Sequence, residues 1–212
     1  MSLNKELVQY VEENIIPQYQ SLDQGHNGMH IYYVIKRSLM LAKEYNLNYN
    51  MVYVIAAFHD LGMLEDRERH EIISADLLKS DPYIKSFFSK EELDIMCQAI
   101  QEHRASFKGD YSNIYSRVVS QADRNFDVVK IISRTIQFGL KFYPQYSFEE
   151  QYARSKKYII EKYGENGYVR VALPFEEDRK KLKKIREIIS CDDLFYNYFL
   201  QCYRKEITDN ED

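Results

Sequence analysis

The sequence has no tryptophan, and only seven glycines and four prolines occur among its 212 residues. Because glycine and proline concentrate in turns and connections, this scarcity favours long helices over a turn-rich β architecture. The three cysteines, Cys97, Cys191 and Cys202, form no Cys-x-x-Cys pair and are odd in number. They favour buried free thiols in a reducing compartment and argue against a disulfide framework.

Long apolar runs and an excess of positive charge are also missing. No apolar stretch approaches the roughly 18 residues of a membrane-spanning helix, and the first residues show no signal-peptide core. We therefore expect a soluble, cytoplasmic protein with no membrane partner. The net charge of −4 and the pI near 5.8 argue against general nucleic-acid binding. They allow a small phosphorylated substrate, which needs only local positive charge or a metal.

The residues that are present predict a single all-α domain over residues 1–212. Hydrophobic residues make up 45% of the chain, which is enough for a sizeable core. Periodicity, capping residues and breaks predict helices over 3–19, 29–45, about 50–60, 70–80, 90–103, 111–142 with a break near Asn125, and 148–163, followed by one or two helices over 176–205. The segment 167–173 is the one extended-looking piece.

The most informative stretch is His59-Asp60, which closes the apolar run 51–58 and precedes Leu61-Gly62. The run is too hydrophobic for a surface, so both residues are expected in the last turn of a buried helix with Gly62 at its C-cap. Burying an ionised carboxylate without a partner is very costly. A cation is a suitable partner, and the negative end of the helix dipole also favours one. The dipeptide therefore predicts a metal site.

Four further polar residues lie on apolar helix faces, each on a different predicted helix. A single residue of this kind is usually a core residue satisfied by a hydrogen bond. Together with His59-Asp60, their number favours one shared site. The four, each with the apolar residues that share its face, are His30 with Val34 and Leu41, His70 with Ile73 and Leu77, His103 with Met96 and Ile100, and Asp123 with Val119, Ala122 and Phe126.

The order His30, His59-Asp60, Asp123 resembles the H…HD…D pattern that defines the HD-domain superfamily of metal-dependent phosphohydrolases. His70 and His103 further resemble the subset H…HD…H…H…D, which holds a second metal. The resemblance covers roughly residues 23–140. The flanking residues that fit it are Gly25-His26-x-x-x-His30, Ala56-Ala57-Phe58-His59-Asp60-Leu61-Gly62, Arg69-His70-x-x-x-Ser74-Ala75 and Gln121-Ala122-Asp123-Arg124.

This resemblance implies a helical bundle of the HD-domain type, with the metal-site core at about 23–140 and C-terminal helices 147–207 packed on it. It implies that one ion is bound by His30, His59, Asp60 and Asp123, and that His70 and His103 bind another, with Asp60 bridging. Among these, His59, Asp60 and Asp123 would be catalytic. Such ligands suit one or two divalent ions, with Mn, Fe, Co, Ni, Zn and Mg all open.

The expected reaction is hydrolysis of a small phosphate ester, with a nucleotide among the candidates, by attack of a metal-bound hydroxide. Many relatives carry a lysine where this chain has Met63 after His-Asp-x-Gly, so phosphate would need another cation here. The candidates for that contact are Arg104, Lys108, Arg124 and Arg134. A general acid is not assigned, although Glu65 and Glu102 lie near the site in sequence.

Other possibilities stay open on the sequence alone. The site could belong to a di-iron oxygenase of the same fold, or to a regulatory module that binds a nucleotide without turnover. His26 could line the pocket or hydrogen-bond within its loop. The aromatic segment 194–203 favours core packing or a dimer seam, so a homodimer is also open. The basic run 179–186 follows acidic residues 176–178 and predicts a solvated helix face.

Overall fold

The computed structural model of the protein describes residues 2–22 and 28–208. Within these ranges the chain forms eleven α-helices and two 3-10 helices and has no strand, which confirms the predicted all-α class. The chain divides into two compact units, Met1–Arg124 and Asn125–Asp212. The single domain expected over residues 1–212 stays a prediction. In the described ranges no helix combines the length and apolar character that a membrane crossing requires.

The first unit is built around one helix that is buried on every side. Its helices are α1 (Lys5–Asn14), α2 (Gly28–Glu44), α3 (Tyr49–Phe58), α4 (His70–Ser80), α5 (Pro82–Lys85), α6 (Lys90–Gln101) and α7 (Ile114–Asp123). Residues 51–58 of α3 are all buried because they are apolar on every face. Helices α2, α6 and α7 pack around α3, and α4 packs on α6. The chain therefore emerges from the end of α3 inside the unit.

Capping residues set several helix starts as predicted. The Asn48 side chain accepts a hydrogen bond from the Asn50 backbone at 3.0 Å and begins α3. Ser89 and Glu92 form a capping box at the start of α6. The predicted first helix over 3–19 is too long: α1 ends at Asn14, and a 3-10 helix, Ile16–Ser21, follows with Pro17 in its first turn. Proline lacks the N–H that an α-helical continuation would need, which explains the change.

Gly62 does not cap α3 as predicted. That helix ends at Phe58, Gly62 lies in a 3-10 helix, Leu61–Leu64, and no described glycine has a positive φ. Instead, Gly62 lets this turn approach α4. A Cβ at this position would collide with the His70 carbonyl oxygen and lie 2.8 Å from Ile73 Cβ. The Gly62 N–H donates to Ser74 Oγ at 2.8 Å. Because glycine has no side chain, the turn lies directly against α4, and the start of α4 is thereby placed next to Asp60.

The second unit contains α8 (Val128–Phe142), α9 (Phe148–Tyr163), α10 (Glu176–Ser190) and α11 (Asp192–Thr208). Phe195 and Phe199 of α11 are fully buried, and the Phe199 ring meets those of Phe148 and Tyr152 at 5.6 and 5.3 Å. This confirms the predicted core packing for the aromatic segment, whereas a dimer seam remains untested. A second capping box, formed by Ser147 and Glu150, begins α9 at the predicted position.

The basic run on α10 is a solvated face, as predicted. Lys180 and Lys183 are exposed and lie 3.9 Å from glutamates one turn away, while Leu182 and Ile185 of the same helix are buried. Residues 167–173, which look extended in sequence, form no strand.

Replacing Gly62 with alanine should push the turn away from α4, and we expect a loss of about 1–3 kcal/mol in the free energy of unfolding from this overpacking. The matched control is Gly28→Ala, because a Cβ on Gly28 would meet no atom within 4 Å. Chemical denaturation of both variants measures the effect. Equal stability of the two variants would contradict the close-approach role of Gly62.

Candidate metal centre

Four side chains from three helices meet at one point in the first unit. His30 lies in the first turn of α2, His59 and Asp60 directly follow α3, and Asp123 ends α7. His30 Nε2 lies 3.2 Å from Asp123 Oδ1, and His59 Nε2 lies 3.3 Å from Asp60 Oδ2. The four ligand atoms all lie within 4.8 Å of one another. Donor atoms about 2.0–2.2 Å from one ion have separations of this kind, so the first group could hold a metal.

A second group shares Asp60 with the first. His70, the first residue of α4, and His103, which follows α6, each place Nε2 at 3.3 Å from Asp60 Oδ1. Their two Nε2 atoms are 3.4 Å apart. One oxygen of Asp60 therefore faces each group, Oδ2 toward the first and Oδ1 toward the second. This is the placement that a bridging carboxylate needs.

Three of the imidazole rings are fixed by the backbone. The Nδ1 atoms of His59, His70 and His103 lie at 2.8, 2.9 and 2.6 Å from the carbonyl oxygens of Ala56, Arg67 and Ile100, respectively. Because a carbonyl only accepts, Nδ1 must carry the proton of the neutral ring, and Nε2 then presents its lone pair to the centre. Such hydrogen bonds orient the histidine ligands of metals in many proteins.

The charges of the cluster call for a cation at its centre. Burial would raise the pKa of Asp60, but the nearby His59, His103 and His30 outweigh it and hold that pKa well below its usual value. The pKa of Asp123 is also well below its usual value, because the nearby imidazoles of His30 and His59 outweigh its burial. Both carboxylates are therefore ionised in a region where isolated negative charge is costly.

The residues present fit a divalent metal. His59 Nε2 is fully buried and makes no hydrogen bond with any residue in the described ranges. A buried nitrogen lone pair that points at carboxylate oxygens is repelled by them unless a cation lies between. Imidazole and carboxylate together suit borderline divalent metals, and the two groups could hold one ion each.

The cluster has one open side. The side chains of His30, His59, Asp60, His70 and His103 are at most 8% exposed, whereas that of Asp123 is 22% exposed. A ligand from solvent would therefore approach at Asp123.

The four cations predicted to contact phosphate have different surroundings. Arg104 donates to the Glu68 carbonyl at 2.7 Å and lies 3.1 Å from Glu71 Oε2. Lys108 is exposed in the loop before α7, and Arg134 is exposed on α8 in the second unit. Arg124 is buried, and its guanidinium lies 3.5 Å from Asp123 Oδ2. The phosphate contact stays a prediction for each of them.

Other predicted residues are placed as follows. His26 lies outside the described residues. Glu65 is exposed, and Glu102 is buried and accepts hydrogen bonds from the backbone and side chain of Ser112. The face predicted for His70 is partly wrong: Leu77 is 38% exposed, and the residues buried with His70 are Ser74, Ala75 and Leu78. Ser74 faces inward, where its Oγ accepts a hydrogen bond from the Gly62 N–H.

Sequence reasoning missed the residues that support the ligands. Ser120 is fully buried and bonds Arg124, and the Glu71 carboxylate lies 3.6 Å from His70 Nδ1. The available signal was helical spacing, since Ser120 precedes Arg124 by one turn and Ser74 follows His70 by one turn. The carbonyl partners of the imidazoles leave no signal in the side-chain sequence.

The pKa shifts of the cluster predict how stability depends on pH without metal. Burial lowers the pKa of His59, but the charge of Asp60 outweighs it and holds the pKa well above its usual value; that of His30 is raised as well. The stability from these groups is present below the ordinary imidazole pKa, about 6.5, and is lost as pH rises through the raised folded value. Burial lowers the pKa of His103, and this has the opposite but weaker effect on how stability changes with pH.

We therefore expect chelator-treated protein to lose stability as pH rises above about 6.5. A saturating divalent ion should remove this loss, because it replaces the protons between imidazole and carboxylate. Thermal unfolding with and without chelator, from mildly acidic to alkaline pH, measures both effects. A chelated protein that grows more stable across this range would contradict the expectation.

Comparison with known proteins agrees with this geometry. A protein-family model described as HD domain matches residues 28–125, a range that contains all six residues of the two groups. Comparison with curated proteins and with solved structures gives no match.

Proposed function

We propose that this chain, which belongs to the HD-domain family over residues 28–125, is a metal-dependent phosphohydrolase that cleaves a small phosphate ester. The observation that carries the proposal is the position of Asp60. One of its oxygens lies 3.3 Å from His59 Nε2, and the other lies 3.3 Å from both His70 Nε2 and His103 Nε2. This placement supports two ions, with His30, His59, Asp60 and Asp123 around one and His70 and His103 completing the other.

Two divalent ions about 3.5–4 Å apart would lower the pKa of a shared water and polarise a phosphoryl oxygen. The chain holds the metal-donor atoms in fixed positions before a metal binds. The rings of His59, His70 and His103 are locked by backbone carbonyls, so their nitrogens need little reorganisation. Asp60 and Asp123 stay ionised because the imidazoles hold their pKa values low. His59, Asp60 and Asp123 are thereby proposed as the catalytic set.

The balance of charge supports an anionic substrate. Asp60 and Asp123 are the two acidic ligands, and two divalent ions would carry more positive charge than they can neutralise. The excess attracts a hydroxide and a phosphate group. It also offers a reason why Met63 can stand where many relatives carry a lysine. The partly exposed Asp123 marks the side from which the phosphate would approach.

The substrate we propose is a small phosphorylated molecule, with a nucleotide as one candidate. The acidic net charge of −4 does not favour a polyanion, whereas a small phosphate needs only the positive charge of the site.

The test uses protein loaded with Mn²⁺ and measures phosphate release from a panel of phosphomonoesters and release of the alcohol product from a panel of phosphodiesters. We expect metal-dependent turnover, and we expect Asp60→Asn to lower kcat by about 10²–10³-fold because the shared charge is lost. Asp76→Asn is the matched control, since Asp76 is exposed on α4. This variant should keep the activity of the wild type.

Three results would count against hydrolysis. Failure of the metal-loaded protein to cleave any ester in the panel would contradict the proposal directly. Oxygen uptake by iron-loaded protein would favour the oxygenase alternative. Tight nucleotide binding without turnover would favour a regulatory module.

A further inference from the structure

We propose that Arg124 is a positioning residue that holds the two ligand groups at a fixed spacing; this inference rests on the proposed metal-dependent function. Its Nη1 atom donates to the carbonyl oxygen of His103 at 3.1 Å and lies 3.5 Å from Asp123 Oδ2. His103 belongs to the second ligand group and Asp123 to the first. One guanidinium therefore contacts a ligand residue of each group.

The guanidinium is itself held in place. Arg124 is 4% exposed, and its Nη2 donates to Ser120 Oγ at 2.7 Å. Ser120 is fully buried, and its hydroxyl lies 2.7 Å from the Tyr111 hydroxyl. A buried cation is tolerated only when it is paired and hydrogen-bonded. These contacts pair both terminal nitrogens of Arg124, whereas its Nε makes no hydrogen bond with any residue in the described ranges. The planar fork of arginine lets two nitrogens reach two structural elements at once, which a lysine cannot do.

The contact with His103 acts on the loop between α6 and α7, which is also held by hydrogen bonds from Arg104 to Glu68 and from Ser112 to Glu102. His103 lies beyond the end of α6, at Gln101, and before the start of α7. Its ring is fixed through Nδ1 to the Ile100 carbonyl, and its own carbonyl is fixed by Arg124. Both ends of this ligand residue are thus anchored. Without Arg124, the His103 carbonyl loses this donor, and the residue keeps the bonds of its Nδ1 and backbone N–H to the Ile100 carbonyl.

Two links therefore join the ligand groups. One is Asp60, whose oxygens face both groups. The other is Arg124, which joins the end of α7 to the loop after α6. Arg124 adds a second link at a different place, between Asp123 of the first group and the carbonyl of His103 of the second. We expect this link to help fix the spacing of the two groups.

The same contacts disfavour the phosphate role predicted for Arg124 from the sequence. Both terminal nitrogens already donate to protein oxygens, and the residue is almost fully buried. A bound phosphate would have to replace the His103 carbonyl or Ser120 Oγ as acceptor. Breaking these bonds would release the loop that carries a metal ligand.

The experiment compares Arg124→Lys, which keeps the charge but loses the fork, with Arg124→Gln, which loses the charge. Ser120→Ala removes the anchor alone, and Arg117→Gln is the matched control because Arg117 is exposed on the same helix. Titration with Mn²⁺ measures metal affinity, and the visible spectrum of the Co²⁺-loaded protein reports the coordination geometry. Thermal unfolding in chelator shows that each variant is folded.

We expect both Arg124 variants to bind metal about 10–100-fold more weakly and to show an altered Co²⁺ spectrum. Ser120→Ala should show a smaller change of the same kind, and Arg117→Gln should match the wild type. If an Arg124 variant does not fold, Ser120→Ala decides, because it leaves the charge in place.

Unchanged metal affinity and Co²⁺ spectrum, with only a higher KM for the ester, would overturn the inference and assign Arg124 to phosphate. Tighter metal binding in Arg124→Gln alone would overturn it as well, since the charge and not the geometry would then matter. The titration needs no turnover. A wild type that binds metal but cleaves no ester would therefore count against the proposed function and leave this inference standing, whereas a wild type that binds no metal would overturn both.

Discussion

The burial of the Asp60 carboxylate is the constraint on which the rest of the first unit depends. Asp60 is 3% exposed and lies just beyond α3, a helix whose residues 51–58 are apolar on every face. An ionised carboxylate in such a place needs positive charge and oriented donors around it. Four imidazoles and one guanidinium, from five parts of the chain, lie around it and Asp123. The packing of α2, α4, α6 and α7 on α3 is what brings them there.

Helix ends supply both the ligands and their orientation. All six candidate ligands lie within the first turn of a helix or at or just beyond its end. At a helix end the last carbonyls lack intrahelical partners. The Nδ1–H group of His59 uses the carbonyl of Ala56 there, and that of His103 shares the carbonyl of Ile100 with the His103 backbone N–H. Each of these rings is thereby tied to the backbone of a helix end and turns its other nitrogen toward the centre.

Much of this organisation could be predicted from the sequence, because local signals are strong where they act through the backbone. Asn48, Ser89 and Ser147 begin helices as their capping chemistry requires. The grouping of the six ligands also followed from helical faces and family resemblance. Contacts between elements were harder: Gly62 looked like a cap, and the face of α4 was wrong at Leu77. The sequence suggested Arg124 only as a candidate phosphate contact, because its partners, a loop carbonyl and a serine hydroxyl, are set by packing.

The most direct measurement is the metal content of protein purified without added metal, determined by elemental analysis for the wild type and for Asp60→Asn. If Asp60 is shared by two ions, the wild type should retain up to about two equivalents of divalent metal per chain, and the variant should lose most of it. A wild type that retains no metal, or a variant that retains as much as the wild type, would contradict the claim that this buried carboxylate organises a metal centre.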